Sequence, residues 1–174
     1  LRAWTTETKD SSSWTQTASK INHYSNDGDS PRWIVENTNT GDLTRNVTGL
    51  DGGLAVTTFT SAGEVLQLTN IHGDITLQLP GDTSVSPAVL DSDEYGNPRD
   101  TREPTRYTWN GAQQRSMETP TGITLMGARL LNSRTGRFLS NDPIYGGNEN
   151  PYAYPSDPVN SSDLDGLSVR KCGW

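Results

Sequence analysis

The chain has 174 residues, long enough for one domain, but only 30% are apolar, and adding its 17 Gly leaves it short of the ~45–50% usual for a globular chain, so a thin core that relies on neighbouring chain for cover is expected. A net charge of −7 with scattered basic residues argues against a nucleic-acid partner. No apolar stretch reaches the length of a membrane span or forms a signal segment, and Cys172, the single cysteine, excludes an internal disulfide and a thiolate metal cluster.

Residues 1–40 are polar, with Trp4, Trp14, Ile21, Tyr24 and Trp33 as anchors. Trp4-Thr5, Trp14-Thr15-Gln16-Thr17 and Arg32-Trp33-Ile34-Val35-Glu36 favour β structure, and Asn26 to Pro31 reads as a turn between two of these pieces. Beyond residue 40 the signal sharpens. Ile75-Thr76-Leu77-Gln78-Leu79 alternates strictly, as a half-buried strand does. Leu54 to Phe59 and Val65 to Thr69 are its expected partners, with turns at Ser61 to Glu64 and Ile71 to Asp74. Asp91 to Asn97, between Pro87 and Pro98, predicts a further hairpin. Arg106-Tyr107-Thr108-Trp109 and Ile123-Thr124-Leu125-Met126 predict two more strands. The expected fold class is therefore all-β, a succession of antiparallel hairpins with few or no helices.

Asp91-x-Asp93-x-x-Gly96 begins like a calcium loop, but Tyr95 and Arg102 occupy ligand positions, so a solvated turn is expected and no metal or cofactor is assigned. Asn46-Val47-Thr48 and Asn160-Ser161-Ser162 fit the glycosylation pattern, which matters only in a eukaryotic secretory setting. His23 and His72 sit in or near polar turns, and nothing places either beside a nucleophile.

From Gly127 to Leu167 the chain is organised by punctuation. Asn132, Gly136, Asp142-Pro143, Gly146-Gly147, Pro151, Pro155, Asp157-Pro158 and Asp165-Gly166 separate the short pieces Arg129-Leu130-Leu131, Arg137-Phe138-Leu139 and Tyr152-Ala153-Tyr154. Asp142, Asp163 and Asp165 read in two ways, as turn formers or as a carboxylate pair. Two carboxyls held close cannot both ionise, and a pair sharing one proton supplies both a base for water and an acid for a leaving amide nitrogen.

The run Gly127-Ala128-Arg129 … Thr135-Gly136-Arg137-Phe138-Leu139-Ser140-Asn141-Asp142-Pro143-Ile144 … Asn150-Pro151-Tyr152-Ala153-Tyr154 … Asp157-Pro158-Val159-Asn160 … Asp163-Leu164-Asp165-Gly166-Leu167 resembles the Rhs-repeat-associated core of Rhs/YD-repeat polymorphic toxins. The match spans residues 105–167. The segments around Gly63, Gly73 and Tyr95-Gly96-Asn97 resemble degenerate YD repeats more weakly. Residues 1–40 carry no such resemblance and stand as an unassigned polar β/loop region; the resemblance implies repeat hairpins over 41–104, the core over 105–167, and the start of a truncated or missing toxin segment over 168–174.

In that family the repeats form a β-strip that winds into a shell around a toxin, and the core closes one end. The terminal motif, typically Asp-Pro-x-Gly-Leu, marks self-cleavage after its Leu. Mapped here, cleavage falls between Leu167 and Ser168, with Asp142 and Asp163 as catalytic aspartates, Asp165 as a second candidate acid, and Arg137 as a positioning cation. Leu164 stands where the motif has Pro. A shell fragment without cleavage activity is the alternative. The implied partners are upstream repeats and a downstream toxin segment of one exported bacterial protein, with a secretion apparatus or cell envelope beyond; the implied location is secreted or cell-surface. Leu1 in place of Met fits a piece of such a protein.

Overall fold

A computed structural model describes residues 3–101, 105–117, 122–145 and 150–171. Cys172, Pro104, Arg102, the Gly146-Gly147 turn and the last residues of the 168–174 segment lie outside the described residues.

The first half of the chain forms one antiparallel sheet whose eight strands lie in chain order with no crossover. They are β1 (Ala3–Lys9), β2 (Trp14–His23), β3 (Trp33–Val35), β4 (Leu43–Thr48), β5 (Leu54–Phe59), β6 (Gly63–Thr69), β7 (Ile75–Pro80) and β8 (Ala88–Val89). One device recurs at the turns: an Asp or Asn side chain accepts the backbone N–H two residues on. Asp10, Asn26, Asn37, Asp51, Asn70 and Asp82 each do so, at every junction except β5–β6. There Gly63 supplies the left-handed conformation instead, at φ 73°. Register shifts at Thr6/Glu7, Val47/Thr48 and Leu68/Thr69 mark bulges, which bend and twist a strip of this kind.

Residues 90–117 join this sheet to a second core. Ser92 and Pro98 bridge across a tight turn in which Asp93 Oδ1 accepts the N–H groups of Tyr95 and Asn97, at 3.0 and 2.8 Å. The Asp93 carboxylate thus serves the turn. Arg106 to Trp109, predicted as a strand, forms bends and a turn. Its aromatic residues reflect burial rather than pairing: Tyr107 enters the core of Leu54, Ile75 and Leu90, while Trp109 enters that of Met117, Met126, Leu131, Phe138 and Tyr154. A single 3-10 turn, Gly111–Gln113, follows, and no α-helix occurs among the described residues. Around the second core lie a three-stranded sheet, β9 (Ile123–Met126), β10 (Arg129–Asn132) and β11 (Arg137–Phe138), and a two-stranded one, β12 (Ser161–Ser162) and β13 (Arg170–Lys171).

Polar contacts also tie strip to core. Asn46 is buried and donates to Pro31 O, Tyr107 Oη and Gln114 Oε1, at 2.8, 2.9 and 3.0 Å, so its glycosylation pattern is closed to an enzyme. Arg106 grips Glu36 with two parallel bonds of 2.5 and 2.6 Å, and Lys20 and Thr44 bond the same carboxylate. Burial pushes the Glu36 carboxyl up, but the Arg106 guanidinium outweighs it and holds the group at about 2 in place of 4.5. This stabilisation, on the order of 3 kcal/mol from a shift of that size, is present above about pH 4.5 and lost as pH falls toward 2. Urea titrations of the chain and of Glu36→Gln at neutral and acid pH test it: the gap between their midpoints should close on acidification. An equal gap at both pH values refutes the assignment.

Candidate functional site

The tight turn between β9 and β10 sets up the site. Gly127 takes φ 52°, and the chain re-enters β10 at Arg129, which pairs with Met126. Strand alternation turns Arg129 inward together with Leu131, so its guanidinium is buried, with 1% of the side chain exposed. A buried cation requires partners on all sides. The Phe138 ring stacks beneath it, 3.7 Å from ring centroid to Cζ, and Nη1 donates to Pro151 O at 3.0 Å. Nη2 meets two carboxylates, Asp163 Oδ2 at 2.7 Å and Asp142 Oδ2 at 3.2 Å.

The two aspartates reach this point by different routes. Asp142 follows β11. Its backbone N–H donates to Pro151 O, and its Oδ1 accepts the Ile144 N–H at 2.8 Å, closing the Asp-Pro turn. Its Oδ2 is buried and makes no hydrogen bond among the described residues, although it lies in ion-pair contact with Arg129. Asp163 follows β12 and is fully buried. Its Oδ1 accepts the N–H groups of Leu167 and Ser168 at 3.0 and 3.1 Å. Asp165 Oδ1 accepts the same two N–H groups at 3.0 and 3.1 Å, and its Oδ2 accepts Arg170 Nη2 at 2.9 Å.

Backbone contact fixes the last turn. Gly166 sits at φ 67°, and a Cβ there would come within 2.4 Å of Met126 O; a Cβ on Gly127 would come within 2.3 Å of Asp165 O. The Ala128 N–H donates to Asp165 O at 2.9 Å. The β9–β10 turn and the Asp165-Gly166 turn therefore lie backbone against backbone, which only glycine permits.

The Asp163 and Asp165 carboxylates lie side by side, since one oxygen of each accepts the same two N–H groups. Burial pushes the Asp163 carboxyl up and Asp165 adds to this, so it lies above the ordinary carboxylate range despite Arg129. Burial also acts to raise Asp165, but the Leu167 and Ser168 N–H groups outweigh it and leave Asp165 below that range. The two neighbours are thus pushed apart, Asp163 toward its protonated form and Asp165 toward its anion. Such an arrangement presents both an acid and an anion to one peptide group.

Of the residues singled out in the sequence, Asp142 and Asp163 converge on one guanidinium nitrogen, while Asp165, Leu167 and Ser168 join them through Asp163. Arg137 lies exposed on β11, opposite Ala153. The cation bonded to the aspartates is Arg129, which sequence reasoning did not single out. Its signal was an arginine in step with Leu131 on a strand whose alternate residues face inward. Among the described residues no three His, Cys, Asp or Glu side chains form a group able to hold a metal ion. Among the described residues no helix is long and apolar enough to cross a membrane.

The fold and site define an all-β strip of consecutive hairpins, closed at one end by a compact core around a buried arginine–aspartate cluster. Similar folds occur in solved toxin structures. The crystal structures of TcdB2-TccC3-TEV and TcdB2-TccC3-Cdc42 each match with a TM-score of 0.60, at 17% and 19% identity, over 96% of this chain and 10% of theirs. A Photorhabdus luminescens Tc holotoxin pore with a mutated TccC3 matches with a TM-score of 0.51 at 18% identity, over 98% of this chain and 10% of that one. The chain thus spans about a tenth of the length of the chains it resembles. No protein-family model matches it, and no curated protein does.

Proposed function

We propose that this chain is the terminal wall and cap of a β-shell that encloses a toxin segment, and that it cuts its own parent chain between Leu167 and Ser168. The likeness to a stretch of TccC3-containing toxins supports the shell. In this reading residues 41–104 are repeat hairpins, residues 105–167 the core, and residues 168–174 the start of the downstream segment of an exported bacterial protein.

The observation that carries the cleavage reading is the Ser168 N–H, held 3.1 Å from Asp163 Oδ1 while Arg129 links Asp163 to Asp142. In the reaction, Asp142 takes a proton from water through its unbonded Oδ2, and the hydroxide oxygen bonds the Leu167 carbonyl carbon. Asp163 gives its proton to the Ser168 nitrogen as the C–N bond breaks. The new Leu167 carboxylic acid returns its proton to Asp163 and the proton held by Asp142 passes to the amine, so the products are a Leu167 carboxylate and a Ser168 ammonium. Arg129 holds both carboxyls in place.

Mass spectrometry of the parent chain tests this. Two fragments that meet at Leu167/Ser168 are expected, with none from Asp142→Asn or Asp163→Asn variants that retain the wild-type circular dichroism. An intact parent at every pH defeats the processing reading and leaves a shell segment whose carboxylates only stabilise the cap.

A further inference from the structure

We propose that Asp165 is a positioning residue for this reaction: with Asp163 it grips the Leu167–Ser168 peptide, sets its carboxylate beside that of Asp163, and is itself fixed by Arg170 from beyond the scissile bond. The inference rests on the self-cleavage reading above. Two carboxylate oxygens, one from each aspartate, accept the same two N–H groups at 3.0–3.1 Å. A peptide held at both nitrogens cannot swing away from the acid that must protonate it. The second Asp165 oxygen is held by Arg170 Nη2 at 2.9 Å. Arg170 lies on β13, downstream of the bond to be cut, so the departing segment helps to build the site that cuts it.

Among the described residues, four charged groups face the pair. Arg129 reaches Asp163 from β10, Asp142 shares that guanidinium from the loop after β11, Arg170 meets Asp165 from β13, and the buried Arg115, just past the 3-10 turn, acts on Asp165 through space. A pair that must keep one proton loses activity when that proton leaves, which places an alkaline limb on the rate. Asp165→Asn removes the anion that retains the proton, so the limb should move to lower pH, with a roughly tenfold loss of neutral-pH rate for each unit moved. Arg170→Gln removes a cation, so the limb should move the other way, and by less because Arg170 is exposed. A residue that only supports the fold would not shift the limb in opposite directions in these two variants.

The experiment follows cleavage of the full parent chain by mass spectrometry from acid to alkaline pH, for wild type, Asp165→Asn and Arg170→Gln. Opposed shifts establish the role. A cleaving wild type whose variants share its limb overturns this inference alone. A wild type that never cleaves overturns the self-cleavage reading and this inference with it. Should Asp165→Asn lose its circular dichroism, Arg170→Gln decides: a limb moved to higher pH supports the role, and an unmoved limb refutes it.

Discussion

Replacing Arg129 with methionine will destabilise the fold by about 3–5 kcal/mol at neutral pH, the usual result of leaving a buried charge without its partner. Methionine fills most of the space above Phe138, so packing is largely kept. The ion pairs to Asp163 and Asp142, at 2.7 and 3.2 Å, and the bond to Pro151 O all vanish. Among the groups acting on Asp163, Arg129 lowers its carboxyl while burial and Asp165 raise it. Without the guanidinium the carboxyl rises further above its unfolded value, and a carboxyl of that kind weakens the fold progressively as pH rises through it. The variant should therefore recover part of its loss on mild acidification. Urea midpoints at neutral and mildly acid pH measure this; a loss that is small, or that deepens with acid, would show that Arg129 does not hold the two aspartates together.

Gly166→Ala is the second large effect. The residue lies at φ 67°, which costs an L-residue about 1–2 kcal/mol. Its new Cβ would also stand 2.4 Å from Met126 O and 3.0 Å from the Arg129 nitrogen, both backbone atoms, so the two turns must separate; overpacking of this kind costs about 1–3 kcal/mol more. Gly63→Ala is the matched control, since Gly63 has φ 73° but nothing within 4 Å of its Cβ position. The Gly63 variant should lose the conformational cost alone. The Gly166 variant should lose clearly more, and on the self-cleavage proposal it should also slow cleavage of the parent chain, because Asp163 and Asp165 are held by the turn it disrupts. Equal melting temperatures for the two variants would mean that the contact between the turns yields easily.

Much of the strip could be read from residues. The alternation from Ile75 to Leu79 and the Asn and Asp residues at the turns mark hairpins, and β5, β6 and β7 lie where that pattern puts them. β4 was missed because its inward positions hold Thr44 and Asn46 in place of apolar residues; Asn46 is buried through hydrogen bonds instead. Arg106 to Trp109 was misread as a strand because aromatic residues serve equally well as anchors between two cores. The strands β8, β11, β12 and β13 are two residues long, too short for any period to show.

At the site, the aspartates were legible as turn residues near the chain's end. Their convergence was not, because it depends on Arg129 lying inward on β10 and on two turns meeting at Gly127 and Gly166. A charged residue on an inward strand position is better evidence of a carboxylate cluster than the acids themselves, since a buried guanidinium is stable only with such partners.

On the self-cleavage proposal, the small sheet of β12 and β13 would give that event a second stage. Ser161 faces Lys171 and Ser162 faces Arg170 across the Leu167–Ser168 bond, and the Arg170–Asp165 ion pair spans it as well. Severing the bond would therefore leave the two pieces zipped, with a newborn ammonium at Ser168 resting between two acids. Scission and departure would then be separate events, the first chemical and the second mechanical. A tug on the downstream segment, or loss of charge on those acids, would be needed to part a cleaved chain.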